Sequence, residues 1–319
     1  MQRAGHARLL RHNVPMPKRT VEEVVVRRKR LQISNAAKVF YPSEGFTKGD
    51  VISFYRDISE VLLPHLKDRP VTLKRYPDGA EGSFFYEKEC PKYAPEWIKR
   101  APITRRRDNV DVNYCLLNSE PALVWAANLA NLELHTVLAK ARDVTKPIAL
   151  VFDLDPGEPL GVLACADIAL RLKKMFASFG LEMLVKTSGS KGLQAYVPLN
   201  TKVTYEQTKS FAQDVARRME KDHPDEIISK PSRTERKGKI FIDWSQNDLH
   251  KTTVSVYSLR AKERPTVSTP VTWEEVRRAV KKEDPSLLSF AHDEVLRRVS
   301  RRGDLFEPVL KMRQKLPKL

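Results

Sequence analysis

Residues 147–157 read PIALVFDLDPG, an apolar run that ends in two acidic residues and a turn. Ile148, Ala149, Leu150, Val151 and Phe152 are continuous and bounded by turn formers, which predicts a buried strand. Asp153 and Asp155 lie two apart at its end, so their carboxylates leave the same face. Like charges held that close raise one another's pKa unless a cation neutralises them. Hard oxygen ligands suit Mg²⁺ or Mn²⁺ better than zinc. On its own the pattern reads first as a strand-end turn capped by Asp155.

Working outward, KIFIDWSQN places Asp243 after Ile240, Phe241 and Ile242, again where a buried strand meets polar residues. Alone it fits a strand-end salt bridge. Together, three carboxylates from two strand ends can hold two metals. Between them in sequence lies TSGSKGLQ, residues 187–194. Gly189 and Gly192 let backbone approach an anion, Ser188 and Ser190 offer hydroxyls, and Lys191 is a mobile charge. The spacing is not that of a Walker loop, and an ordinary polar hairpin turn is its other reading.

The surrounding pattern alternates. Thr47 caps a helix carrying Val51, Ile52, Tyr55, Ile58, Val61 and Leu62, which Pro64 ends or kinks. RPVTLKRYPDG is a strand and turn; SEPALVWAANLANLE is a helix, and HTVLA starts the next strand. Residues 160–179 are helical, LEMLVKT pairs with LQAYVPL, and residues 203–224 form an amphipathic helix. KIFIDWS and TTVSVYSL are strands, and residues 271–300 are mostly helical. The class is α/β.

The chain has 319 residues, with 57 Lys or Arg against 40 Asp or Glu, a formal charge of +17. That excess points to a polyanion partner. At 41% hydrophobic residues, wholesale disorder is excluded. No apolar run approaches the ~20 residues of a membrane span. MQRAGHARLLRHNVPMPKRT has no apolar h-region, so no secretory signal is expected. Cys90, Cys115 and Cys165 form neither a disulfide framework nor a zinc pattern, which predicts a reduced, intracellular, zinc-free protein. Residues 1–30 carry nine basic and two acidic residues and read as a basic arm or linker. Residues 31–300 read as the folded body and 301–319 as a basic tail. In Arg105–Arg107 the choice is between a solvated face and a loop touching template phosphates.

Three strings, VFDLDPG, TSGSKGLQAYVPL and FIDWSQNDLHKTTV, together closely resemble the polymerase domain of ATP-dependent DNA ligase D, of the archaeo-eukaryotic primase superfamily. The resemblance runs from ISNAAKVFYPSEGFTKGDV through LKRYPDG, SFFYEK and LELH to SLRAKE. It implies a primase-polymerase core with an RRM-like catalytic module and a packed N-terminal α/β module, in two interleaved lobes. It implies template-directed addition of NTPs or dNTPs, with ribonucleotides favoured, at gapped or overhanging double-strand-break ends. Two Mn²⁺ or Mg²⁺ ions, the end-binding protein Ku, an ATP-dependent ligase and a cytoplasmic, nucleoid-associated location are implied with it.

By the same resemblance Asp153, Asp155 and Asp243 are the catalytic metal ligands. Ser188, Ser190, Lys191, Arg236 and Arg260 would serve the nucleotide, His135 its sugar, and Phe84 and Phe85 would stack on bases. As adjacent strand residues, Phe84 and Phe85 would face opposite ways, one core and one exposed. Asn35, Lys38 and Lys48 would hold a downstream 5′-phosphate, with the dipole of the following helix as a further attraction. Gln194 departs from the family's Ser-Gly-Ser-x-Gly-Leu-His: it can donate to a phosphate but adds no charge. That departure supports a non-catalytic end-binding module as one rival; a metal-dependent nuclease is another.

Overall fold

The computed structural model describes residues 20–232 and 234–317, and two antiparallel-rich sheets dominate it. The second sheet has the spatial order Ile227–Ile228, Ile240–Asp243, Ala149–Pro156, Leu193–Pro198, Leu184–Thr187, Pro270–Val271. Only its first pair is parallel. Its central strand, Ala149–Pro156, is the sequence run that predicted it, and Leu150, Val151 and Phe152 are wholly buried. Helices Val162–Ser178 and Tyr205–Asp222 supply the apolar cover: Phe152 meets Phe176 edge-on at 5.5 Å, and Phe176 meets Phe211 at 6.0 Å. Thr204 starts the second helix with a capping box to Gln207.

The first sheet runs Thr253–Val254, Asn131–Thr136, Pro70–Arg75, Asp111–Leu116, Lys99–Thr104, with Phe85–Glu87 also on Pro70–Arg75. Its outer helices are Lys48–Asp57, Ser59–Leu66, which contains Pro64, and Glu120–Asn128.

Several expectations change. The helix expected through Glu133 stops at Asn128, because Ala130 takes φ 62° and Asn131–Thr136 enters the sheet. LELH is therefore strand, pinned between Pro70–Arg75 and Thr253–Val254. The strand read in TTVSVYSL shrinks to Thr253–Val254, since the chain turns at Tyr257, φ 61°. Folded structure starts before residue 31: Val21–Val26 pairs with Lys29–Ser34. The rest of the basic arm, residues 1–19, lies outside the described residues. The tail is packed as far as Gln314, whose amide donates to the Glu182 and Pro198 carbonyls at 3.0 and 2.9 Å.

Cys90 and Cys115 form a disulfide with Cα atoms 5.0 Å apart, against the reduced state expected from spacing. Spacing could not show it, because register brings Cys115 opposite Val71 and Arg100, beside the loop that carries Cys90. Among the described residues, no helix is long and apolar enough to cross a membrane.

Phe152 packs on Phe176, which in turn meets Phe211, so it links the central strand to its cover. Phe152→Ala should cost about 3–5 kcal/mol in denaturant unfolding; a loss below ~1 kcal/mol would contradict this packing.

Candidate active site

Register does the first work. Asp153 sits directly opposite Asp243 on one side and Gln194 on the other, and Gln194 sits opposite Lys186. Directly paired residues share a face, so Lys186, Gln194, Asp153 and Asp243 form one row across four strands. Asp155 lies on that face too, two residues on.

The row is buried. Lys186 is wholly covered, and its Nζ donates to Gln194 Oε1 at 2.7 Å and Ser268 Oγ at 2.6 Å. Burial, then Asp155 and Asp243, pushes the Asp153 carboxyl up to about 7, against hydrogen bonding from Gln194. Burial also pushes Lys186 down to about 7, with Asp153 opposing. Asp155 is raised by burial and by Asp243.

The donor set fits a hard divalent cation: three carboxylates on adjacent strands, repelling one another in a poorly hydrated place. As the side chains stand, however, no group of three His, Cys, Asp or Glu among the described residues is placed to hold a metal. Asp243 explains this. Its Oδ1 accepts from Ser245 N at 2.9 Å and Ser245 Oγ at 2.5 Å, and its Oδ2 accepts from Gln246 Nε2 at 2.9 Å. That oxygen pair caps its own turn, so it would have to exchange these partners for a cation.

Above the row opens a cleft of about 740 Å³, lined by Asp153, Asp155, Ser188, Ser190, Lys191, Gln194, Arg236, His135 and Arg260. The 187–194 loop reaches it because Gly192 lies against the Leu154 carbonyl, where a Cβ would come within 2.2 Å. Gly189 takes φ +68° with Arg260 packed on it. The Ser188 hydroxyl accepts from the Ser190 and Gly192 amides, both at 3.2 Å, so it braces the loop and keeps only its proton to donate. Lys191 is exposed, 3.9 Å from Glu158. Arg236 stacks 3.8 Å over Phe241, and its Nε is buried without a hydrogen-bond partner.

Some predicted residues lie elsewhere. Phe84 and Phe85 are both exposed, at 51% and 43%, which corrects the expectation of one core ring. Phe84 lies just before the strand Phe85–Glu87, with Lys74 4.2 Å over Phe84 and Arg75 5.2 Å over Phe85. Asn35, Lys38 and Lys48 form a separate group. Lys48 N donates to the Lys38 carbonyl at 2.8 Å, and Lys38 N to the Asn35 carbonyl at 3.0 Å. Lys48 is buried with its Nζ on Ser34 Oγ at 3.0 Å, and Lys38 Nζ holds Asp78 at 2.9 Å. The helix start beside them already carries a Thr47–Asp50 capping box, so an anion would meet a helix end partly satisfied by a carboxylate. In the Arg105–Arg107 loop, Arg105 pairs with Asp108 at 2.5 Å and Arg106 with Asp248 at 3.4 Å.

Sequence reasoning missed Lys186, Lys74, Tyr86 and Glu133. Glu133 could have been found: in a strand it shares a face with His135, and the helical reading of its segment hid this. Lys186 showed only as a lysine in an apolar run.

Three comparisons bear on this arrangement. A family model described as "LigD, primase-polymerase domain" matches residues 47–306. A Mycobacterium bovis protein named "Multifunctional non-homologous end joining protein LigD" is 39% identical over 289 residues, 88% of this chain and 37% of that protein. The Bacillus subtilis "Bifunctional non-homologous end joining protein LigD" is 30% identical over 299 residues, 93% of this chain and 45% of that one. The chain thus spans less than half the length of these relatives. The solved "Polymerase Domain from Mycobacterium tuberculosis Ligase D in complex with DNA" superposes with a TM-score of 0.81 at 38% identity, covering 89% of this chain and 99% of that one.

Because the folded state raises Asp153, it binds that proton more tightly than the unfolded chain, so this group costs stability as pH rises from about 4 to about 7. In chelator, Asp153→Asn should therefore melt above the wild type at pH 7, with the gap closing towards pH 4. A gap that is constant across that range would contradict the buried repulsion.

Proposed function

Since the chain belongs to the LigD primase-polymerase domain family, a family of nucleotidyltransferases with a mixed α/β primase fold, we propose that it extends 3′ ends on a DNA template at gapped or overhanging double-strand breaks. The observation that carries this reading is the row Gln194–Asp153–Asp243, with Asp155 beside it, under a cleft rimmed by Arg236, Arg260 and Lys191.

Asp153, Asp155 and Asp243 would hold two divalent cations, Mg²⁺ or Mn²⁺. When bound, these would make a primer 3′-hydroxyl a better nucleophile and offset the charge of a triphosphate. The chain's own residues do the rest by position and charge. Lys191, Arg236 and Arg260 all line the cleft and would meet a triphosphate there. The Ser188-braced loop offers the Ser190 hydroxyl. His135 faces the sugar. Phe84 and Phe85, open to solvent over Lys74 and Arg75, suit stacking on bases, worth ~1–3 kcal/mol per base. Asn35, Lys38 and Lys48 would receive a downstream 5′-phosphate, with Lys38 leaving Asp78 to do so. A preference for ribonucleotides, and joint action with Ku and an ATP-dependent ligase in end joining, belong to the same proposal.

Gln194 has a specific place in it. Lys186 occupies its carbonyl oxygen, leaving the amide nitrogen as a donor towards Asp153. It supports the acidic row without adding charge, which favours a working site over a silent scaffold.

Incubation with gapped, 5′-phosphorylated DNA, NTPs and Mn²⁺ should lengthen the primer; shortening would indicate a nuclease, and binding alone a scaffold. Asp153→Ala or Asp155→Ala should abolish extension while leaving affinity for the 5′-phosphorylated end within about twofold. Extension at the wild-type rate by either variant would overturn the assignment. Gln194→His should retain extension; complete loss would show that the glutamine does more than support Asp153.

A further inference from the structure

The nucleotide side of the cleft is organised by a residue outside the expected set. Glu133 is 1% exposed, and its carboxylate gathers donors from several segments. His135 Nε2 lies 2.9 Å from it, Tyr76 Oη 3.2 Å, the Ala261 amide 3.1 Å and Lys74 Nζ 3.4 Å. Arg260 Nε is 3.3 Å away, off the line of a hydrogen bond, so that contact is an ion pair with an unshared N–H. The other end of Arg260 donates to the Ser188 carbonyl. Glu133 on the first sheet and the 187–194 loop on the second are thus linked through one guanidinium.

We propose that Glu133 is the positioning residue of the nucleotide side: it fixes the Nε2–H form of His135, so that Nδ1 is the acceptor for a sugar hydroxyl, and it anchors Arg260 across the cleft. This rests on the polymerase reading above and goes beyond it. An ionised carboxylate only accepts, so each neighbour must donate, and the imidazole nitrogen against it must carry the proton. The other ring nitrogen, Nδ1, then holds the lone pair in a residue that lines the cleft. Burial opposes ionisation of Glu133, but His135, Arg260 and Lys74 outweigh it and hold the carboxyl well below its usual range. Burial likewise keeps His135 below its ordinary value against the pull of Glu133, which favours the neutral ring at pH 7.5.

Two measurements test the proposal. Long-range ¹H–¹⁵N NMR of the wild type at pH 7.5, with His135 assigned by its loss in His135→Gln, should show a neutral ring protonated at Nε2. A ring protonated at Nδ1, or a charged ring, would overturn it. In single-nucleotide extension, Glu133→Gln should raise the KM for nucleoside triphosphate ~10-fold or more, with kcat changed less than about threefold. Adding Arg260→Lys to Glu133→Gln should then cost less than it does in the wild type, because the anchor is already gone. Unchanged KM, or simple additivity in that cycle, would overturn the proposal. Should Glu133→Gln not fold, the wild-type spectrum still decides. Failure of the wild type to extend would sink the polymerase reading, while the spectrum would test the Glu133 geometry separately.

Discussion

Like-charge repulsion in a buried strand register is the constraint around which the rest of this protein is arranged. Asp153 lies between Asp243 and Gln194 because three strands align there. Sheet hydrogen bonding fixes that alignment, and the apolar faces beneath hold it: a slip of one residue would turn Phe152 and Leu154 outward and the carboxylates inward. The packing of Phe152 and Phe176 under the sheet therefore carries the electrostatics above it. The repulsion persists because the fold leaves no room to relax it. Asp243 turns its oxygens towards Ser245 and Gln246, while Gln194 and Lys186 support Asp153 from the other side.

Around this acidic centre the protein sets positive charge at a distance. Arg236, Arg260 and Lys191 rim the cleft, and Lys38 and Lys48 form a second basic group at the start of the helix Lys48–Asp57. The formal charge of +17 is spread differently: residues 1–30 carry nine basic residues to two acidic, and residues 290–319 eight to four. Charge on the chain's two ends offers sequence-blind, salt-sensitive attraction to nucleic acid. In the proposed function, discrimination would belong to the few charges that line the cleft.

Glu133 and Arg260 connect these levels. A buried carboxylate is costly unless every oxygen is met, and here donors from the 70s, 130s and 260s meet it. One buried acid thereby ties the first sheet to the loop of the second and holds the Nε2 side of His135.

Much of this was legible in the residues themselves. The 147–157 run showed a buried strand with two carboxylates on one face, and FIDWSQN showed a third at a matching strand end; local periodicity is enough for that. The family followed from the long ordered strings that contain them. What the sequence could not show is who stands opposite whom. The row from Lys186 to Asp243, the Cys90–Cys115 pairing and the Glu133 cluster are made of residues brought together by cross-strand register. The exposure of both Phe84 and Phe85 is likewise a matter of tertiary packing that adjacency in sequence did not show. The start of that strand, Asn131–Glu133, was read as helix for the same reason, since its helix-like composition yields to a central sheet position that only tertiary packing supplies. Sequence by itself determined which chemistry the strand ends carry; the pairing of the strands, fixed by the burial of their other face, decided that those ends form one site.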